Sequence, residues 1–185
     1  MRSALIAAAR EALETAAPEA ITLKSLAVRL GVSQPAPYRH FESREGLLAA
    51  VATDGFERFG EDLRASQADG PADEGLERAA LAYLAFGRAN RGVYRLMFAS
   101  SLLRTADDEA LARAAAASFQ FLVGGVAQRV PASRVGPVAV WVWATLHGLV
   151  MLDASGLADG PAHPVGPAQV VHEMMATLFG TKGER

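Results

Sequence analysis

Ser33, Gln34, Ala36, Tyr38, Arg39 and His40 stand within eight residues of one another and carry the side chains that can read duplex DNA. A glutamine amide pairs bidentately with adenine, an arginine guanidinium pairs with guanine or a phosphate, and alanine admits a thymine methyl. Ser33 is an adaptable donor and acceptor, while Tyr38 and His40 offer hydroxyl and imidazole donors to phosphate oxygens. Tyr38 also fits an aromatic core with only its hydroxyl exposed. Thr22 and Arg44 are placed where helices are expected to begin, so backbone amides and the helix dipole would help them hold phosphate. Lys24 and Pro35 complete the candidate surface. Between Thr22 and Arg44 the charges are Lys24, Arg29, Arg39 and Arg44 against Glu42 alone, on a chain whose net charge is −2. The basic footprint is therefore local, the plain alternative being a solvated helix face that happens to be basic.

The elements around these residues follow from spacing. Leu23, Leu26, Ala27 and Leu30 recur at three- and four-residue steps and predict a short amphipathic helix. Gly31 supplies the positive φ that ends it, and Val32 plugs the corner. Ser33 is a good N-cap for a second short helix running to Phe41, with Pro35 tolerated in its first turn. Two helices at a steep angle, a helix-turn-helix, are the expectation. Pro37 fits it poorly, because it removes an intrahelical bond and leaves the second helix short and stiff. Thr22 caps the first of the pair, with Ser25 standing where a full capping box would have glutamate or glutamine.

Elsewhere the pattern is helical throughout. A first helix is expected from Ser3 to Ala17, stopped by Pro18, and a long fourth from the cap Ser43 to about Arg64. Ser66 to Gly75 is linker-like in composition. Helices then follow over Leu76 to Arg88, Val93 to Leu103 after a break at Asn90-Arg91-Gly92, and Asp107 to Arg129. Another starts near Pro137 and carries the apolar run Val138 to Leu152, which is too short to span a bilayer, and Gln169 to Phe179 forms the last. That makes an all-α chain of about nine helices. With 185 residues, half of them hydrophobic, it can bury a sizeable core. The absence of cysteine excludes disulfides, thiolate metal sites and cysteine nucleophiles, and is compatible with a reducing cytoplasm. Arg10, Glu11 and Glu14 interrupt the early apolar stretch before an export signal can develop.

The order Thr22, Leu26-Ala27, Gly31-Val32-Ser33, Tyr38-Arg39-His40-Phe41, Ser43-Arg44-Glu45 and Leu47-Leu48 closely resembles the DNA-binding domain of TetR-family transcriptional regulators. Arg44 stands where that family often has lysine. Trp143, His147 and Gly148, preceded by Tyr94-Arg95-Leu96-Met97-Phe98, resemble the WHG type of regulatory domain in the same family. The resemblance implies a helix-turn-helix domain over residues 1–48 and a helical ligand-binding and dimerisation domain over 49–185, joined through the long fourth helix. It also implies a cytoplasmic homodimer on a double-stranded operator, with a small-molecule effector and neither metal, cofactor nor membrane. The last two helices are the expected dimer contact.

Tyr83, Phe86, Tyr94, Met97, Phe98, Leu102, Phe119, Trp141, Trp143, His147 and Met151 can line an apolar effector cavity, or equally fill an ordinary core. His147 reads as a buried histidine bonded to a carbonyl or as a ligand contact. Enzyme motifs fail. His172-Glu173 opens a zinc-protease pattern, but Ala176 stands where the second histidine is required. The four histidines, including His163, fall in four different segments. A regulator without a small-molecule effector and a helical enzyme are the alternatives.

Overall fold

The computed structural model describes residues 1–68, 70–71, 74–99, 108–156 and 165–180. Eight α-helices occur among them, with no strand. They are α1 (Arg2–Leu13), α2 (Leu23–Arg29), α3 (Arg44–Ala68), α4 (Gly75–Ala89), α5 (Arg91–Ala99), α6 (Glu109–Ala127), α7 (Ala132–Ala154) and α8 (Pro167–Phe179). The all-α class and the near-nine count are as expected. The missing helix is the one foreseen from Ser33 to Phe41, where the chain makes turns and a short 3-10 helix, Pro37–Arg39. Leu102, His163, Leu103 and Asp107 lie outside the described residues.

The chain forms two compact units. The first comprises Met1–Arg58 and Asn90–Ala116, the second Phe59–Ala89 and Ala117–Arg185, so both divisions through helices fall inside α3 and α6.

In the first unit, Leu5, Ile6, Ala9 and Leu13 of α1 meet Leu23, Leu26 and Ala27 of α2 and Leu47, Leu48 and Val51 of α3 in one apolar core. α1 stops at Leu13 rather than Ala17. Ala17 precedes a proline, which biases it to the extended backbone it adopts (φ −68°, ψ 150°), and the helix loosens over the preceding turn. α3 starts at a working cap, the Gly46 amide donating to Ser43 Oγ at 3.0 Å, and runs on to Ala68 through the front of the linker-like stretch. Small and polar residues do not stop a helix when no proline or positive-φ residue intervenes; Gly70, at φ 126°, comes only after Ala68.

In the second unit α4 packs on α7 and α8. Leu76, Ala80, Tyr83 and Leu84 of α4, Val138, Val142, Leu146 and Val150 of α7, and Val171, Met174 and Met175 of α8 are buried. Gly87 permits a close crossing, since a Cβ there would stand 2.6 Å from Val150 Cγ1. Arg88 of α4 clamps Asp153 of α7 with two bonds, Nε to Oδ2 at 3.0 Å and an Nη2 to Oδ1 at 2.8 Å. α7 begins five residues before Pro137, which therefore sits inside the helix and not near its start; its missing N–H leaves the Ser133 carbonyl without that intrahelical partner. The outer face of α7 carries Val140, Trp141, Ala144, Met151 and Leu152, all exposed, at helical spacing. Both α6 and α7 are long and apolar enough to cross a bilayer, yet only 17% and 28% of their most apolar windows is buried within the chain.

Candidate nucleic-acid interface

The candidate surface rests on a sharply specified corner. Thr22 Oγ1 accepts from the Ser25 amide at 3.0 Å and Ser25 Oγ accepts from the Thr22 amide at 3.1 Å, so the capping box is complete. Serine at the third position does what glutamate or glutamine does elsewhere, which corrects the half-signature expected from the sequence. At the other end of α2, Gly31 takes φ 65°, its amide reaches Val28 O at 3.1 Å, and the Val32 amide reaches Ala27 O at 3.0 Å. Those two bonds are a Schellman motif, and they send the chain out at the predicted turn.

Beyond the turn, Pro35 and Pro37 have no N–H to give to carbonyls four residues back. The segment closes with three-residue steps instead: Ala36 N to Ser33 O at 3.0 Å, Arg39 N to Ala36 O at 3.3 Å, and His40 N to Pro37 O at 3.0 Å. Pro37 is buried, four residues before the buried Phe41, while Ser33, Gln34, Pro35, Arg39 and His40 are exposed and Ala36 is half-buried. Pro37 is therefore a core residue as well as a stiffener. Tyr38 is 55% exposed and points its ring outward, not into the core. The result is a stiff edge of donors and acceptors backed by an apolar seam.

The flanking cations differ in what they do. Lys24 is exposed, and among the described residues neither it nor Arg39 has an ion-pair partner. Arg29 bridges to Glu11 of α1 at 2.9 Å. Arg44 donates Nε to Ile21 O at 3.0 Å, an Nη2 to Pro18 O at 2.6 Å and an Nη1 to Glu45 Oε1 at 3.2 Å. Its guanidinium ties the chain entering α2 to the first turn of α3, a role that leaves no sequence signal because Pro18 and Ile21 are remote in sequence and present only backbone. Arg10 of α1 similarly reaches Asp54 of α3 at 2.9 Å. Near that pair a polar cleft of about 400 Å³ is lined by Arg2, Ile6, Arg10, Thr53, Asp54 and Glu57, among others, and by none of the aromatic candidates.

The effector candidates divide between the two units. In the first, Tyr94 and Met97 are fully buried, and Phe98 lies 4.7 Å from Tyr94 and 5.2 Å from Phe56, centroid to centroid. In the second, Tyr83 and Phe86 each stand 5.0 Å from Phe59. Phe119 meets Trp143 edge-on at 5.9 Å, and Trp143 lies 6.2 Å from His147. Trp141 and Met151 belong to the exposed face of α7, 52% and 38% exposed. Partial burial lowers the His147 pKa below its ordinary value by penalising the imidazolium.

Residues 5–51 match the family model for bacterial regulatory proteins of the tetR family, and residues 76–178 match the tetracyclin repressor-like C-terminal domain. Over 51 residues the chain is 47% identical to the class C tetracycline repressor protein of Escherichia coli, a stretch covering 28% of this chain and 23% of that repressor. A Rhodococcus sp. RHA1 protein of unknown function superposes with a TM-score of 0.83 at 28% identity, over 96% of this chain and 93% of that one. A TetR family transcription regulator from Marinobacter aquaeolei VT8 gives 0.69 at 20% identity, over 96% and 94% of the two chains. AibR, solved in complex with isovaleryl coenzyme A and operator DNA, gives 0.67 at 17% identity and 97% of each chain. The last two show the fold.

Proposed function

The chain belongs to the TetR family of bacterial regulatory proteins, and from that premise we propose that it is a repressor: a homodimer released from a palindromic operator by a small apolar or aromatic effector. That it is a DNA-binding transcriptional regulator follows from the family itself; the repressor, operator and effector are the finer reading. The observation that carries it is the exposed edge of Gln34, Tyr38, Arg39 and His40, held rigid on the buried pair Pro37 and Phe41. In this reading Gln34 reads adenine, Arg39 reads guanine or holds phosphate, Ser33, Pro35 and Ala36 permit close approach, and Thr22, Lys24, Tyr38, His40 and the flank of Arg44 meet the backbone.

So short a reader makes too few contacts alone, and two copies must lie about 34 Å apart to enter consecutive major grooves. The exposed face of α7, with Trp141, Met151 and Leu152, is apolar surface that a second copy would cover together with α8. The same cover would bury the outer face of α7, of whose most apolar window only 28% is buried within the chain. The functional division is a reader over residues 1–48 and a regulatory part over 49–185, with α3 the lever between them. An effector acts by binding more tightly to the form whose readers are wrongly spaced, because equal affinity for both forms shifts nothing. An apolar effector would enter among the aromatic side chains around Phe59, Phe98 and Trp143, which pack ring against ring.

Selection of bound sequences from a random duplex pool tests the core of this. A palindrome is expected, and Gln34→Ala is expected to change the preferred base at one position of each half-site without changing the fold. Enrichment of no sequence, or of a single unpaired half-site, would refute the dimeric reader.

A further inference from the structure

Within the first unit, α1, α3 and the start of α6 enclose the polar cleft of about 400 Å³, and every residue that lines it belongs to that unit. Arg2, Ile6 and Arg10 stand four residues apart on α1 and so form one row, about 6 Å per step along the helix. Thr53, Asp54 and Glu57 line the α3 side, and Arg10 Nη1 donates across the cleft to Asp54 Oδ2 at 2.9 Å. Arg2 marks the end nearer the start of α3, its guanidinium 5.2 Å from the centroid of the Phe41 ring. Glu57 lies toward the other end, one turn beyond Asp54. The buried Ile6 and Ala50 give the cleft a short apolar strip between them.

The bonding capacity these groups have left is of both signs. Asp108, the cap of α6, accepts the Ala110 and Leu111 amides on Oδ1 at 2.9 and 3.0 Å; those two bonds fix the carboxylate, and its Oδ2 has no partner among the described residues. Asp54 Oδ1 and both oxygens of Glu57 are likewise without a hydrogen bond or ion pair there. Thr53 gives its hydroxyl proton to Ala49 O at 2.9 Å and keeps only acceptor capacity. On the cationic side, Arg2 has no ion pair among the described residues, and Arg10 uses a single nitrogen on Asp54. Two arginines thus meet three carboxylates in one cleft. A simple anion is repelled by the carboxylates, and the amides that would draw it to the start of α6 are already taken by Asp108. A simple cation leaves Arg2 and the rest of Arg10 unused and has no need of the apolar strip. A molecule with both charges on a short aliphatic body satisfies both sets, with its body over Ile6 and Ala50.

We propose that this cleft is a binding site for a small zwitterion, an amino acid or a short peptide, its ammonium held by Asp54, Glu57 and Asp108 and its carboxylate by Arg2 and Arg10. None of the aromatic side chains offered to an apolar effector lines it, so this is a second ligand site of different chemistry. By joining α1 to α3 and the start of α6, the ligand stabilises the folded first unit.

The test is isothermal titration calorimetry on the full-length protein without DNA. Leucine, ε-aminohexanoate and alanyl-leucine are the probes, which separate a free amino acid from a peptide and vary the distance between the charges; hexylamine and hexanoate are the single-charge controls. At least one zwitterion is expected to bind with a Kd of about 0.1 mM, and each single-charge control about tenfold more weakly or not at all. Glu57→Gln and Arg2→Gln should each weaken that zwitterion about five- to tenfold. Glu61→Gln, which changes an exposed carboxylate one turn further along α3 and outside the cleft, should leave it unchanged. Thermal melting checks that each variant folds and should show the zwitterion raising the Tm of the wild type. The proposal is overturned if no zwitterion binds at roughly 5 mM, if hexylamine binds as tightly as the best zwitterion, or if binding survives both Glu57→Gln and Arg2→Gln. Because the titration contains no DNA, its outcome is independent of the operator: a protein that selects a palindrome but takes none of the probes loses this site alone, and one that binds a zwitterion but enriches no sequence keeps it.

Discussion

Replacing Arg44 with alanine separates two roles that its position at a helix start suggests. Its guanidinium donates to two main-chain carbonyls, Ile21 O at 3.0 Å and Pro18 O at 2.6 Å, and its side chain is 31% exposed. A hydrogen bond from a charged donor contributes about 1.5–3 kcal/mol when well shielded. Partial exposure lets water replace part of each bond when the side chain is removed, so a combined loss of about 2 kcal/mol is the reasonable figure for the pair. The contact with the exposed Glu45 adds little, as surface ion pairs do. For a chain of this size that loss lowers the melting temperature by roughly 4–8 °C. Arg44→Lys keeps the charge but not the fork that spans both carbonyls, and should recover less than half of it. Thermal unfolding followed by circular dichroism reads the effect, and the salt dependence of operator binding reads the alternative. A side chain acting only on phosphate would leave the melting temperature unchanged and reduce the slope of log affinity against log salt by about one. A variant that melts within a degree of the wild type, with that reduced slope, would refute the assignment of Arg44 as a structural tie.

Trp141→Glu, on the exposed face of α7, should convert the dimer to monomer in sedimentation and abolish operator binding at micromolar protein while leaving helix content intact. Gly87→Ala places a Cβ 2.6 Å and 2.8 Å from the Val150 methyls and should destabilise the second unit by about 1–3 kcal/mol in denaturant unfolding, a loss that Val150→Ala in the same chain should largely reverse. Because burial lowers the folded His147 pKa below the unfolded value near 6.5, the unfolded chain binds the proton more readily. The stability associated with neutral His147 is therefore present above that value and is lost as pH falls from it toward the folded pKa. Melting temperatures between pH 8 and pH 5 should show this component, and His147→Phe should remove it.

What could be read from the residues alone was whatever the chain settles within a few positions of itself. Gly31 and Val32 close a turn through bonds to Val28 and Ala27, so their types announced the corner. The caps at Thr22 and Ser43 were equally local. Ser25 was undervalued because a short hydroxyl reaches the Thr22 amide only once the helix has formed, at 3.1 Å. Pro37 resisted because removing an N–H is a local fact, whereas burial beside Phe41 is a tertiary one. The same limit divided the effector candidates. The spacing marked apolar residues able to line a cavity or fill a core; Tyr83, Phe86, Tyr94 and Met97 are buried whereas Trp141, Trp143 and Met151 are exposed, and periodicity did not say which fall into the same core. Gly92 looked like an interruption between two helices when it is a helical residue whose missing side chain makes room for another helix end. Long-range contacts to backbone, at Arg44 and at Gly92, leave no mark on the partner's residue type.

Those two backbone contacts bear on why the reader depends on the remainder of the chain. The prolines and the three-residue bonds from Ser33 to His40 leave that segment little freedom to lose on binding, so its ordering cost is small. Stiffness has the opposite consequence for placement: a segment that does not adapt transmits any displacement of its support to every contact at once. With a net charge of −2 there is no broad electrostatic attraction to compensate for lost contacts. Specific affinity in such a protein is governed by whether two rigid edges match two grooves together. It therefore responds steeply to small movements of α1 and α3, the helices on which that segment rests.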